Sequence, residues 1–420
     1  MPRMPHNHYK LTLAVSLGGM LELYDFLIYG LMATYISQQF FPADDPLVSL
    51  MGAFATFAVG YMTRPLGGLL FGHLGDKYGR KKNFTLSILL MATSTALMGC
   101  LPVYNSIGLA APILLVLLRL VQGFSLGGEI PGAMTYLSES APDQQGRMMG
   151  ILFSSFLLGI CLGTSVHGIL ALYLDSEAMM AWGWRIPFWL GGSLGVLSYF
   201  IRKRFRESGL FMALDQAKQQ SSIPLAVMLR SHRQGLARGL LIMSISCATV
   251  GIYAIYMPSY LNLLGFDSVR VAWNTTFAFL VISPLSILFG ILTDKCNHKP
   301  LFVISIVFIA LATWPSFLYF SSDHAPLRNI MLICGLLSAL SSGLLPPLLV
   351  NCFPTEVRYT GIATCYNLCV TLFGGLAPFM ATLLISQLGR AAGPACYLIM
   401  VAVLSFGALL LKWPKQKQLE

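Results

Sequence analysis

Six polar side chains able to hold, move or orient a proton lie inside apolar stretches of the first half of this 420-residue chain: Glu22, Asp25, Arg64, Arg119, Gln122 and Glu129. Glu22 and Asp25 are spaced to share one helix face, as are Gln122 and Glu129. A charged group at the middle of a membrane helix costs ~2.5–3.5 kcal/mol or more, so each asks for a reason. A carboxylate beside an arginine stays ionised. It takes up a proton when the arginine is drawn away or the site is dried. One reading is therefore a proton-coupling group, with Asp25 or Glu22 carrying the proton, Arg64 and Arg119 setting its affinity, and Glu129 as a partner nearer the inside. The other is a fixed salt-bridge cluster that never titrates.

These groups need helices to hold them. With 56% hydrophobic and 10% charged residues, the chain has too few charges to wet a soluble surface, where roughly 25% is usual. About 20 apolar residues cross a bilayer core. Twelve runs qualify, near 11–36, 49–73, 83–103, 110–137, 148–173, 186–202, 239–262, 271–293, 301–320, 329–351, 359–387 and 392–411. The sequence thus predicts an all-α membrane protein, since lipid-exposed backbone must satisfy its own hydrogen bonds. At ~1.5 Å rise per residue, Asp25 falls roughly 16 Å and Arg119 roughly 14 Å from the outer ends, with Glu22 and Arg64 both at about 21–22 Å. Matched depths on neighbouring helices are what a buried ion-pair network requires.

The net charge of +10 is a topology signal rather than a nucleic-acid one. One set of loops holds most of the Lys and Arg, including Lys77, Arg80, Lys81, Lys82, Arg147, Arg202 to Arg206 and Arg358. The opposite set holds only Arg185, Arg270, Arg328 and Arg390. Basic short loops stay cytoplasmic, so both termini are expected inside a plasma membrane, the inner one if the source is bacterial. Leu11 onward is expected to remain as the first helix rather than to act as a cleaved leader.

The chain is also internally duplicated. A loop from Gly72 to Lys82 (GHLGDKYGRKK) returns in worn form from Gly290 to Pro300 (GILTDKCNHKP). The pairs Asp76/Asp294 and Glu139/Glu356 have offsets that agree to within one residue. Repeats of this kind are a signature of transporters. The longest polar stretch divides the chain into residues 1–202, a cytoplasmic linker 203–238 and residues 239–420. Two pseudo-symmetric six-helix bundles are the expected architecture.

The second half carries no carboxylate or base deep within its spans. Its polar groups there are Tyr253, Tyr256, Asn274, Asn351, Tyr366 and Asn367. Tyr253 and Tyr256 read either as a packing stripe or as contacts to a solute. The nine cysteines have neither a CxxC pair nor a metal spacing, so no metal or cofactor is expected. Nothing groups a nucleophile with a base, which argues against an enzyme.

The runs LELYDF at 21–26, RPLGG at 64–68, RLVQGFSLGGE at 119–129, GWRIPF at 183–188 and FPTEVRYTG at 353–361 add to the 72–82 loop. Together they resemble the major facilitator superfamily and, within it, the metabolite:proton symporters. The resemblance implies two bundles rocking about a central site and importing a small polar solute, an organic acid or a zwitterion such as proline or a betaine, with protons. The solute-facing candidates are Arg64, Arg119, Gln122, Tyr24, Tyr253, Tyr256, Asn274, Tyr366 and Asn367. Gly72, Asp76, Gly79, Arg80, Lys81 and Lys82 would gate the inner side, with Glu139, Arg147, Asp294, Glu356 and Arg358 as companions, Glu139 beside Arg147 and Glu356 beside Arg358. The loss of the second glycine and the arginine at Asn297 and His298 argues against a fully symmetric second latch. The implied partners are solute, protons and membrane lipid, with no nucleic acid, and the working unit is a monomer. A proton-driven exporter and a non-transporting receptor are the rival readings.

Overall fold

The computed structural model describes residues 6–44, 46–78, 80–203, 228, 230–322 and 325–413; the side chains of 6–15, 46–47, 50, 72–85, 201–203, 263, 356 and 386 lie outside that description. Residues 204–227, most of the expected linker, also fall outside it. Everything described is helix or short connection, as expected for backbone that meets lipid.

Twelve spanning helices form two six-helix bundles. The first holds α1 (His6–Leu31), α2 (Pro46–Met62, continued by Arg64–Tyr78), α3 (Arg80–Cys100), α4 (Ala110–Ser140), α5 (Gln145–Tyr173) and α6 (Ile186–Lys203). The second holds α7 (Arg233–Asn262), α8 (Ser268–Lys295), α9 (His298–Phe320), α10 (Leu327–Val350), α11 (Arg358–Ile385) and α12 (Ala392–Phe406). Large apolar side chains such as Leu66, Leu172, Ile304, Leu311 and Val403 cover the outer faces, where hydrocarbon rather than water is the solvent.

The duplication is visible in the packing. In the first bundle α1 lies on α5, α2 on α4 and α3 on α6; in the second, α7 lies on α11, α8 on α10 and α9 on α12. The bundles meet through α5 against α8 and α2 against α11, which are equivalent positions exchanged.

Several helices are interrupted. Helix α8 breaks at Ser283–Pro284, where proline supplies no N–H to the helical ladder. Helices α7 and α11 widen into π-helical turns at Gly251–Tyr256 and Val370–Gly375, which face each other across the second bundle. Helix α2 breaks at Thr63, whose hydroxyl donates to the Leu120 carbonyl of α4. There α2 and α4 cross backbone to backbone. A Cβ on Gly67 would lie 1.8 Å from the Phe124 carbonyl oxygen, and one on Gly123 would lie 1.7 Å from that of Gly60. Only glycine permits this crossing, and the crossing brings Arg64 and Arg119 to one region.

Candidate functional site: a buried acid–base cluster in the first bundle

Helix α1 presents Glu22, Asp25, Phe26 and Tyr29 on successive turns. Glu22 and Arg64 of α2 form an ion pair, with Arg64 Nη2 donating to Glu22 Oε1 at 3.0 Å and both side chains at most 5% exposed. This is the pairing that their matched depths imply. The Arg64 guanidinium also lies 5.8 Å from the Phe26 ring centre and 5.7 Å from that of Tyr61.

Arg119 is fully buried and differs in kind. Its guanidinium sits 4.6 Å from the Phe26 ring centre, 4.3 Å from that of Tyr29 and 5.1 Å from that of Phe57. These aromatic faces stabilise a cation electrostatically. Its Nη1 donates to Gln122 Oε1 at 2.5 Å, and its Nη2 reaches the Phe57 carbonyl at 3.5 Å. Nε has no hydrogen-bond partner, and no carboxylate among the described residues pairs with the group. A buried guanidinium with spare donors is suited to receive an anion.

Asp25 is the complementary case. It is 1% exposed, and neither carboxylate oxygen has a hydrogen-bond partner among the described residues. It lies between α1, α3 and α6, beside Thr95 and Gly191. Glu129, also buried, is within electrostatic reach. It follows the break of α4 at Gly127–Gly128, at the start of the helical segment that continues to Ser140. Tyr24, on another face of α1, donates to the Pro187 carbonyl and so ties α1 to α6.

The second bundle closes over this cluster with neutral groups. Asn367 Nδ2 donates to the Gly127 carbonyl at 2.6 Å, Tyr359 to that of Gly128 at 3.0 Å and Thr371 to that of Tyr61 at 2.8 Å. Tyr366 is buried near Arg64 and Glu22, with its ring centre 6.4 Å from that of Phe153. Tyr253 instead donates to Thr313 of α9, and Tyr256 accepts from Thr382, both within the second bundle. Asn274 donates to the Arg270 carbonyl on its own helix. The structure thus gathers Glu22, Asp25, Arg64, Arg119, Gln122, Glu129, Tyr366 and Asn367. Tyr24, Tyr253, Tyr256 and Asn274 are bonded elsewhere.

Sequence reasoning missed the aromatic shell of Phe26, Tyr29, Phe57 and Tyr61, and it missed Thr95. The aromatic signal was present: Phe26 and Tyr29 fall on the face of Glu22 and Asp25, and Phe57 and Tyr61 lead at helical spacing into Arg64.

At the end of α8, Asp294 accepts from the backbone N–H groups of Gly146 (2.6 Å) and Arg147 (2.9 Å), in the first turn of α5. Glu139 of α4 reaches Arg358 of α11 at 3.9 Å, a contact between the two bundles. The side chains of Gly72, Asp76, Arg80, Lys81, Lys82 and Glu356, and the whole of Gly79, lie outside the described residues.

The sequence model of the Major Facilitator Superfamily matches residues 15–363 and 239–420. The chain belongs to the major facilitator superfamily. The glycine betaine/proline/ectoine/pipecolic acid transporter OusA of Dickeya dadantii is 34% identical over 413 residues, covering 94% of this chain and 81% of that protein. The proline/betaine transporter of Salmonella typhimurium is 33% identical over 414 residues, with the same coverage of 94% and 81%. Two solved structures share the superfamily fold. A D-xylose–proton symporter has a TM-score of 0.73 at 18% identity, covering 95% of this chain and 97% of its own. The xylose transporter XylE from E. coli, in a partially occluded inward-open conformation, has a TM-score of 0.75 at 16% identity, covering 98% and 99%. At such identities the likeness is one of fold.

Proposed function

We propose that this protein imports a small zwitterion by proton symport, through alternating access of a site between the two bundles. The observation that carries the reading is the pair of unmatched buried charges in the first bundle. Arg119 is a guanidinium without a carboxylate, and Asp25 is a carboxylate without a hydrogen-bond donor. Burial without partners is costly, so such groups earn their place by gaining a partner or a proton during the cycle. The solutes named for the two relatives each join a carboxylate to a cationic nitrogen. A guanidinium suits the first part, and the aromatic faces of Phe26, Phe57, Tyr61 and Tyr366 suit the second. In this reading Asp25 carries the proton, Arg64 and Arg119 anchor the carboxylate, and the Glu22–Arg64 pair holds α1 to α2.

The bundles of residues 1–202 and 239–420, joined by 203–238, move against each other. The inner side is latched by Asp294 on α5 and by Glu139 with Arg358, with the 72–82 loop as the corresponding gate on the first bundle. Both termini face the cytoplasm, and the monomer is the working unit. One proton entering through ~100 mV supplies ~2.3 kcal/mol. That supports roughly 50-fold accumulation, since ~1.4 kcal/mol is a factor of ten.

Purified protein in liposomes tests this. Proline and glycine betaine accumulate when the outside is made acidic, and Asp25→Asn abolishes the accumulation while retaining solute counterflow. Accumulation driven by an inside-acid gradient would identify an exporter, and binding without accumulation would identify a receptor. Full proton-driven uptake by Asp25→Asn would remove Asp25 from the coupling role.

A further inference from the structure

Asp25 and Arg119 do not touch, yet they are joined. Gln122 Oε1 accepts from Arg119 Nη1 at 2.5 Å, and Gln122 Nε2 donates to Thr95 Oγ1 at 2.7 Å. The arginine has donors only, so it fixes which end of the amide faces it. The amide N–H then occupies one acceptor site of the Thr95 hydroxyl and leaves that hydroxyl its own proton to give. The group beside it is the Asp25 carboxylate, close to but outside hydrogen-bond geometry, with both oxygens open. The space that admits this carboxylate is made by Gly191 of α6. A Cβ there would lie 2.2 Å from Asp25 Oδ1 and 3.1 Å from Thr95 Cγ2.

Resting on the proposed symport, we infer that Thr95 and Gln122 form a one-way hydrogen-bond bridge by which Arg119 responds to the charge of Asp25, with Thr95 as its positioning residue. An ionised Asp25 would draw the Thr95 hydroxyl into hydrogen-bond geometry, and every donor would then run in one direction: guanidinium to amide, amide to hydroxyl, hydroxyl to carboxylate. Hydrogen bonds so aligned reinforce one another, and the bridge holds Arg119 on Gln122. When Asp25 carries a proton it becomes a donor itself and no longer draws the Thr95 proton. The neutral carboxyl is a weaker acceptor and offers its own O–H to the Thr95 oxygen, so the alignment weakens, and Arg119 is held less firmly and becomes available to a solute carboxylate. Proton and solute are thereby loaded together, which is what symport requires.

The surroundings of Asp25 contain few other groups that can replace this link. Helix α4 brings Glu129, α3 brings Thr95, and α6 brings the bare backbone of Gly191. On α1 itself, Tyr24 is committed to the Pro187 carbonyl and Glu22 to Arg64. By contrast, the neighbouring Ser94 hydroxyl is spent on the carbonyls of Leu90 and Met91 in its own helix. Thr95 is the hydroxyl of that pair turned toward the cluster.

The test compares wild-type protein with Thr95→Val, which keeps the shape but removes the hydroxyl, and Thr95→Ser, which keeps the hydroxyl. Each is reconstituted in liposomes with proline or glycine betaine as the probe. Counterflow needs no net proton movement, so Thr95→Val is expected to keep it within about twofold while proton-driven accumulation falls at least about tenfold; Thr95→Ser restores accumulation. Thr95→Ala supplies the same comparison if the valine variant does not fold. Unchanged accumulation in the hydroxyl-free variant, or an equal loss of counterflow and accumulation, would overturn the bridge. Failure of the wild type to accumulate solute would instead overturn the proposed symport itself.

Discussion

The two bundles share one pattern of helix pairing, yet they bury different chemistry. The first holds Glu22, Asp25, Arg64, Arg119 and Glu129 among aromatic rings. The corresponding interior of the second is joined by neutral hydroxyls: Ser244 with Ser405 at 2.8 Å, Tyr253 with Thr313 at 3.1 Å and Ser246 with the Ser341 carbonyl at 3.4 Å. A paired hydroxyl costs little to bury, whereas a buried charge is tolerable only while its partner stays in place. Duplication therefore preserved the scaffold and let the mid-span charges fall on one side; the second bundle's buried Arg238 sits near the start of α7, bonded to Cys352 and the Lys412 carbonyl. In the proposed symport, the first bundle would respond to protonation, and the second would be the surface against which that response is converted into motion.

The sharpest way to break this contrast is to remove one partner of the first bundle's ion pair. Glu22→Leu leaves the Arg64 guanidinium buried without its carboxylate at 3.0 Å, and a loss of roughly 3–5 kcal/mol in stability is expected. Chemical or thermal unfolding in detergent measures it. The double variant Glu22→Leu/Arg64→Met is expected to recover most of the loss, because it removes the orphaned charge as well. A double variant no more stable than the single one would mean that the pair is not the source of the effect.

What could be read from the sequence divides along the same line. Glu22 and Arg64 were legible together, because charges have no ordinary reason to be in a span and depth alone matched them. The helical architecture and its duplication were legible from length, apolar content and the returning Asp294 loop. Thr95 was not, because a threonine in an apolar helix usually satisfies itself on its own backbone, as Thr93 does on the Leu89 carbonyl. The breaks at Thr63 and Gly127 were hidden in continuous apolar sequence, where hydropathy does not register a crossing of backbones. Glu139 meeting Arg358 depends on α4 and α11 being neighbours across the interface, which spacing along one chain does not encode.

An intermediate effect is expected where the bundles touch. Asp294→Asn removes a negative charge and one of two acceptors from the first turn of α5, at the N–H groups of Gly146 and Arg147. Charge at a helix N-terminus and charge-assisted hydrogen bonds together make a cost of about 1–2 kcal/mol reasonable. If the latch acts on access, this shifts the balance away from the inward-closed form by about 5–30-fold. Distances between spin labels on the inner ends of α4 and α10 measure the shift. An unaltered distance distribution, with normal folding, would leave Asp294 as a local cap with no part in gating.

The smallest effect belongs to the neutral bundle. Tyr253→Phe removes the donor to Thr313, but the Thr313 hydroxyl still donates to the Ile309 carbonyl at 2.7 Å, and the ring keeps its stacking on Phe317 at 5.7 Å. One lost hydrogen bond between uncharged groups is worth about 1 kcal/mol, so stability falls slightly and uptake stays within about twofold. Paired measurement of unfolding and liposome uptake separates the two quantities. A large loss of uptake with unchanged stability would place Tyr253 against the solute and make the second bundle a participant in recognition. A small loss of both keeps it as the neutral partner, because a hydroxyl buried for packing answers to stability and not to the proton gradient.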